Sequence, residues 1–121
     1  MPYMITKTEI RAHKDKLALE PRRGILVLAI LSRLGEPKYG YALIQELGEY
    51  GLEIEQGTLY PLLRRLGEQD LLLSEWNVEG SRPRRYYQLS PAGVEVLRSL
   101  SKDWWHLVDT MAGLLETKEG K

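Results

Sequence analysis

A mainly helical (α+β) chain is predicted: a winged helix-turn-helix with a two-stranded wing and a long C-terminal dimerisation helix. Three stretches carry that expectation. Gly57-Thr58-Leu59-Tyr60-Pro61-Leu62-Leu63-Arg64-Arg65-Leu66 has the leucine spacing of a helix with an apolar back and a basic front. Arg82-Pro83-Arg84-Arg85-Tyr86-Tyr87 is a basic loop entering an aromatic strand. Residues 90–116 then repeat apolar side chains at spacings of three and four.

The elements follow in order. Thr6-Lys7-Thr8-Glu9 fits a capping box, with Thr6 as N-cap and Glu9 three residues on. Ile10, His13 and Leu17 would line one face of that first helix. Pro21 ends it and suits the first turn of a second helix, which runs to about residue 34 with Gly35 as its cap. The run 24–31 is apolar throughout and reads as a helix buried nearly all round. It is too short to span a bilayer, which takes about 20 residues. Residues 39–50 form a third helix with Ala42, Leu43, Leu47 and Tyr50 as its stripe, ended by Gly51. Thr58 is the expected N-cap of the fourth, which places Pro61 where a missing N–H costs nothing. Leu59, Leu62, Leu63 and Leu66 would face inward. Strands are expected over 71–78 and 84–89, joined by a turn holding Gly80. Ser90-Pro91 caps the last helix. At ~1.5 Å per residue that helix is on the order of 35 to 40 Å long, too long to pack fully on so small a domain.

Composition narrows the function. The chain has 121 residues, 43% of them hydrophobic, and no cysteine. One domain with a core fits, and disulfides, thiolate catalysis and cysteine-ligated zinc are excluded. The charged, apolar-poor N-terminus has no signal-peptide pattern, so a cytoplasmic protein without a membrane span is expected. Net charge is zero, from 17 basic and 17 acidic residues. Residues 80–92 hold three arginines and no acid, whereas Glu53 and Glu55 precede the fourth helix. Weak non-specific DNA affinity and a small basic face follow. Asp15, Glu20 and the other scattered acids read as solvated helix faces. His13 and His106 make no site by spacing, and no zinc motif, nucleophile elbow or phosphate loop is present. No enzyme activity, metal or cofactor is expected.

On the fourth helix, Thr58, Tyr60, Arg64 and Arg65 are left for the exposed face, where arginine can fork onto guanine. Taken alone, the arginines read more simply as a solvated face. The basic hairpin that follows, with Arg82, Arg84 and Arg85 placed to touch phosphates, favours double-stranded DNA. Tyr86 and Tyr87 must point to opposite faces of their strand. The last helix offers Leu97, Leu100, Trp104, Leu107, Met111 and Leu114 as a seam, widened by Val94, Val108 and Leu115. A two-fold homodimer reading a palindrome is the default partner arrangement. Trp104 and Trp105 point about 100° apart. One fits the seam, and either could stack on a planar aromatic molecule there or serve as dimer packing.

These residues resemble the PadR family of bacterial transcriptional regulators. The matching segments are 23–31, Tyr39-Gly40-Tyr41-Ala42-Leu43, 57–66 and Arg84-Arg85-Tyr86-Tyr87-Gln88-Leu89-Ser90-Pro91-Ala92-Gly93, together covering about residues 22 to 115. The resemblance implies a winged helix-turn-helix over 21–90, a helical extension over 1–20, and a dimerisation helix and tail over 91–121. It adds Tyr39 and Tyr41 to the DNA-binding residues. It implies repression at a palindromic operator and, as in the family's compact branch, an aromatic effector beside Trp104 or Trp105. Rival readings are a winged-helix protein-interaction module and a multidrug-binding protein, neither binding DNA.

Overall fold

The computed structural model describes residues 5–19 and 21–116, so residues 1–4, Glu20 and residues 117–121 lie outside it. Among the described residues, five helices and three strands follow one another: α1 (Lys7–Leu19), α2 (Arg22–Ser32), β1 (Lys38–Tyr39), α3 (Gly40–Glu49), α4 (Gln56–Glu68), β2 (Leu72–Asn77), β3 (Arg84–Leu89) and α5 (Pro91–Leu115). The strands form one antiparallel sheet in the order β1-β3-β2. Tyr39 pairs with Tyr86, and β2 runs against β3 from Leu72↔Leu89 to Asn77↔Arg84.

The core sits where α2, α3 and α4 meet the base of the wing. Ile30, Leu31, Leu34, Leu43, Leu59 and Leu63 are wholly buried. All four predicted α4 leucines face inward. Burying one leucine contributes about 1.5–3 kcal/mol, so this helix is held by its apolar back. Tyr87 joins the core while Tyr86 packs on Tyr39, the opposite-face arrangement that a strand requires.

Several caps form as the sequence predicts. Thr6 and Glu9 make both bonds of the capping box, at 2.8 and 3.0 Å. Gly51 closes α3 at φ 95°, and Leu52 donates to the Leu47 carbonyl across it. The Ser90 hydroxyl accepts the Gly93 N–H, with Pro91 at the first turn of α5.

Other expectations need correction. α4 starts at Gln56 with Glu55 as N-cap, so Thr58 is its third residue. Pro61 therefore lies inside the helix and leaves the Gly57 carbonyl without its i+4 donor. Tyr39 belongs to β1, which adds a third strand to the expected two. The second helix ends at Ser32, and Gly35 is not its cap. Nor is that helix buried all round: Leu26, Ile30 and Leu31 are buried, but Ile25 is exposed. Tyr50 is exposed too, with the Arg33 guanidinium 5.0 Å from its ring centroid. No residue of α1 is buried, Ile10, His13 and Leu17 included.

Candidate nucleic-acid interface

The α4 back fixes which residues it shows outward. At ~100° per residue, the ridge opposite the buried leucines is Gly57, Pro61, Arg64 and Glu68, and all but the half-buried Gly67 beside them are exposed. Tyr60 and Gln56 lie on the flank toward the wing, while Thr58 and Arg65 lie on the other. Arg64 and Tyr60 share a face, one turn apart.

Between α4 and the wing runs a groove of about 570 Å³. Tyr39, Tyr41, Tyr60, Arg82, Arg84 and Arg85 all line it. Six of the nine predicted DNA-binding residues thus line one aromatic and cationic groove, and Arg64 lines a neighbouring cleft that shares Arg85 with it. Thr58 and Arg65 stand apart from it on the other flank of α4.

The two wing arginines do different things. Arg84 lies 4.4 Å from the Tyr39 ring centroid, and Tyr39 in turn packs on Tyr41 and Tyr86. Arg85 points to the other face of β3. It donates to the Ser74 hydroxyl at 3.0 Å and sits within 6 Å of the Trp76 and Tyr87 rings. Stacking on an aromatic face holds a guanidinium while leaving its N–H edge open to an anion.

Tyr60 is placed by a glycine. A Cβ on Gly40 would stand 2.4 to 2.6 Å from the far end of the Tyr60 ring, so the ring can lie there only over a residue without a side chain. A second constraint sets α3 against α2 and β1. Arg33 Nη2 and Nε reach Glu46 Oε2 at 2.8 and 2.9 Å, and Lys38 Nζ lies 3.4 Å from Oε1. This arginine holds the Glu46 carboxyl below the usual carboxylate range.

Two groove residues escape sequence reasoning. Gln56 and Trp76 both line it. Gln56 escapes because Thr58 is the better side-chain cap, whereas the true N-cap, Glu55, makes no side-chain bond. Trp76 stands in a strand whose face only the β2–β3 register settles. Glu53 and Glu55 are exposed, and Arg22 donates to the Glu53 carbonyl at 3.0 Å.

The predicted seam on α5 is split. Leu97 and Leu100 are partly buried against the chain's own core. Trp104 and Leu107 border an apolar groove of about 270 Å³ against Pro21, Gly24, Ile25 and Leu28. Met111 and Leu114 are exposed, Val108 is half-buried, and Trp105 points away from the groove and is exposed. Among the described residues, no group of acids and histidines could hold a metal ion, and no helix is long and apolar enough to cross a membrane.

Comparison with known proteins agrees with this geometry. Residues 27–99 match the model of the transcriptional regulator PadR-like family. The chain is similar to the transcriptional regulator Rv3488 of Mycobacterium tuberculosis, with 41% identity over 61% of this chain and 70% of that one. Among solved structures, a PadR family transcriptional regulator from Eggerthella lenta is 47% identical, with a TM-score of 0.79 over 91% of this chain and 98% of its own. A PadR-like transcription factor from Bacteroides fragilis is 38% identical, with a TM-score of 0.71 over 82% and 98%.

Proposed function

Because the chain belongs to the PadR-like family of transcriptional regulators, and not to a family of enzymes, we propose that it binds a palindromic operator as a homodimer and represses transcription there. The observation that carries this reading is the groove that gathers tyrosines and arginines between α4 and the wing. The exposed face of α4 enters the major groove, where Arg64 forks onto a guanine and Gln56 faces a base edge. Tyr60, Arg82, Arg84 and Arg85 hold phosphates, with Tyr39 and Tyr41 bracing the wing arginines. Arg65 and Thr58 meet the backbone on the other flank of α4. Residues 21–90 serve as the DNA-binding unit, and 91–121 as the dimerisation helix and tail.

The dimer seam is the uncovered apolar surface of α5: Leu107, Val108, Met111 and Leu114, with Trp105 at its edge. Leu97 and Leu100 support it from behind. A planar aromatic effector fits beside Trp104, in the apolar groove between α2 and α5. An effector that prefers one packing of α5 on α2 would shift the population between operator-competent and incompetent dimers.

Binding-site selection from random duplexes tests the reading. Wild type should select a two-fold symmetric sequence. Arg64→Ala should flatten preference at one position in each half-site, worth about 1–3 kcal/mol of discrimination. Tyr60→Phe should weaken binding without changing preference. An Arg64→Ala dimer that selects the wild-type sequence would show that Arg64 does not read bases.

A further inference from the structure

Helices α4 and α5 are separated by the whole wing in sequence, yet they meet through two residues of backbone. α4 ends in a Schellman turn. The Leu71 N–H donates to the Leu66 carbonyl and the Asp70 N–H to that of Gly67, both at 3.0 Å, with Asp70 at φ 63°. The next two carbonyls, of Asp70 and Leu71, are taken by the residue that begins α5. The Ser90 N–H donates to Leu71 O at 3.0 Å, and the Ser90 hydroxyl donates to Asp70 O at 2.6 Å. The same hydroxyl oxygen accepts the Gly93 N–H at 2.9 Å. Gly93 completes the contact: a Cβ there would stand 2.1 Å from Leu71 O, a backbone atom that cannot swing aside. Ser90 and Gly93 are both buried.

We propose that Ser90 and Gly93 form a rigid joint between the recognition helix and α5, and that this joint sets the half-site spacing the protein accepts. The proposal rests on the DNA-binding dimer described above. Capping α5 requires only that the Ser90 oxygen accept the Gly93 N–H. The second bond, to Asp70 O, and the glycine contact with Leu71 O are not needed for a cap. They tie the first turn of α5 to the last turn of α4. Beyond this joint Val96, Leu97 and Leu100 pack on the core through side chains alone, and from Leu100 to Leu107 α5 faces α2 across an open groove. In a dimer joined through α5, each recognition helix is carried from this joint. A loose joint would let the two helices settle at several separations. DNA would then be bound at several spacings, without the cost of deforming it to fit one.

Three variants separate a joint from a cap. Ser90→Asp keeps a cap acceptor, and its carboxylate has no proton to donate to Asp70 O. Ser90→Ala loses both bonds, and Ser90→Thr keeps both. Each is titrated, as a dimer verified by sedimentation, against duplexes carrying the wild-type half-sites at the selected spacing and one or two base pairs off it. A duplex with a single half-site is the control.

Wild type and Ser90→Thr should favour the selected spacing. Ser90→Asp should lose most of that preference, about tenfold, while its single-half-site affinity stays within about twofold. Ser90→Ala should lose the preference and also melt earlier. A merely structural role would weaken every duplex in parallel. A folded Ser90→Asp dimer with the wild-type spacing preference overturns the proposal. A wild-type dimer with no spacing preference overturns the joint, whereas a wild-type chain that sediments as a monomer overturns the dimer reading and the joint with it.

Discussion

The two halves of α5 are written in the same residue types and end in opposite surroundings. Near its start, Gly93 is buried, and Val96, Leu97 and Leu100 pack on the core. Near its end, Leu107 is 51% exposed, Leu114 72% and Leu115 71%. The hydrophobic period runs through both without a break. A period therefore locates apolar surface but does not say what covers it. In the first half the cover is the chain itself, and in the second a partner copy is proposed. α1 falls on the same side of this divide, since none of its residues is buried. An isolated helix of 13 residues is marginal in water, and its capping box is the local device that supports it.

The sharpest way to break the comparison is one substitution in the covered core and one on the uncovered half of α5. Leu63→Ala, in the fully buried core, should cost about 2–5 kcal/mol of stability and leave the association of folded chains unchanged. Met111→Asp should leave each chain's own core intact. In the seam it would bury an unpaired charge, costing roughly 3–5 kcal/mol of association. Sedimentation should find folded monomers, with an unaltered near-ultraviolet signature from the wing. A Met111→Asp dimer as tight as wild type would move the seam elsewhere.

A second contrast concerns the DNA face. Gly40→Ala should displace the Tyr60 ring, because only the flexible end of that side chain stands in the way. Thermal stability should change little. Operator affinity should fall by roughly 1–1.5 kcal/mol, about one phosphate hydrogen bond and near tenfold. An equal loss in a Gly40→Ala,Tyr60→Phe double variant and in Gly40→Ala alone would confirm that the glycine acts through the tyrosine, and strict additivity would contradict it.

The smallest expected effect is electrostatic. Glu46 is held below its ordinary pKa, first by its bond to Arg33. A depressed carboxylate contributes stability above its unfolded pKa, and that contribution is lost as pH falls through its folded pKa. Wild type should therefore exceed Glu46→Gln by about 0.5–1 kcal/mol at neutral pH, since the pair is only partly shielded. The gap should close as pH drops below the ordinary carboxylate range. Denaturant melts at pH 7 and pH 3 measure it, and a gap that persists at pH 3 would assign the effect to packing.

Much of the molecule was legible in local sequence. The α4 leucines, the capping box at Thr6, the Ser90-Pro91 cap and the Gly80 turn each depend on neighbours within a few residues. What escaped depends on distant partners. β1 is two residues long, and only its pairing with β3 makes it a strand. Gly40 carries no sequence signal for its role, because the ring it accommodates is twenty residues away. The start of α4 differs from the sequence expectation because Thr58 is the stronger side-chain cap, whereas Glu55 turns the chain by backbone alone. Arg84 and Arg85, adjacent in sequence, part company only once the strand register sends them to opposite faces.

Sedimentation velocity of the chain mixed with its selected palindromic duplex, across a series of salt concentrations, tests the central claim most directly. A dimer that reads DNA through α4 and the wing predicts one dimer per duplex. It also predicts an affinity that falls with salt, with a slope of about −0.9 for each phosphate neutralised. Arg85→Ala should make that slope shallower by about one unit for each phosphate contact removed, two in the symmetric dimer. A chain that stays monomeric on the duplex, or whose binding does not respond to salt, would contradict the account.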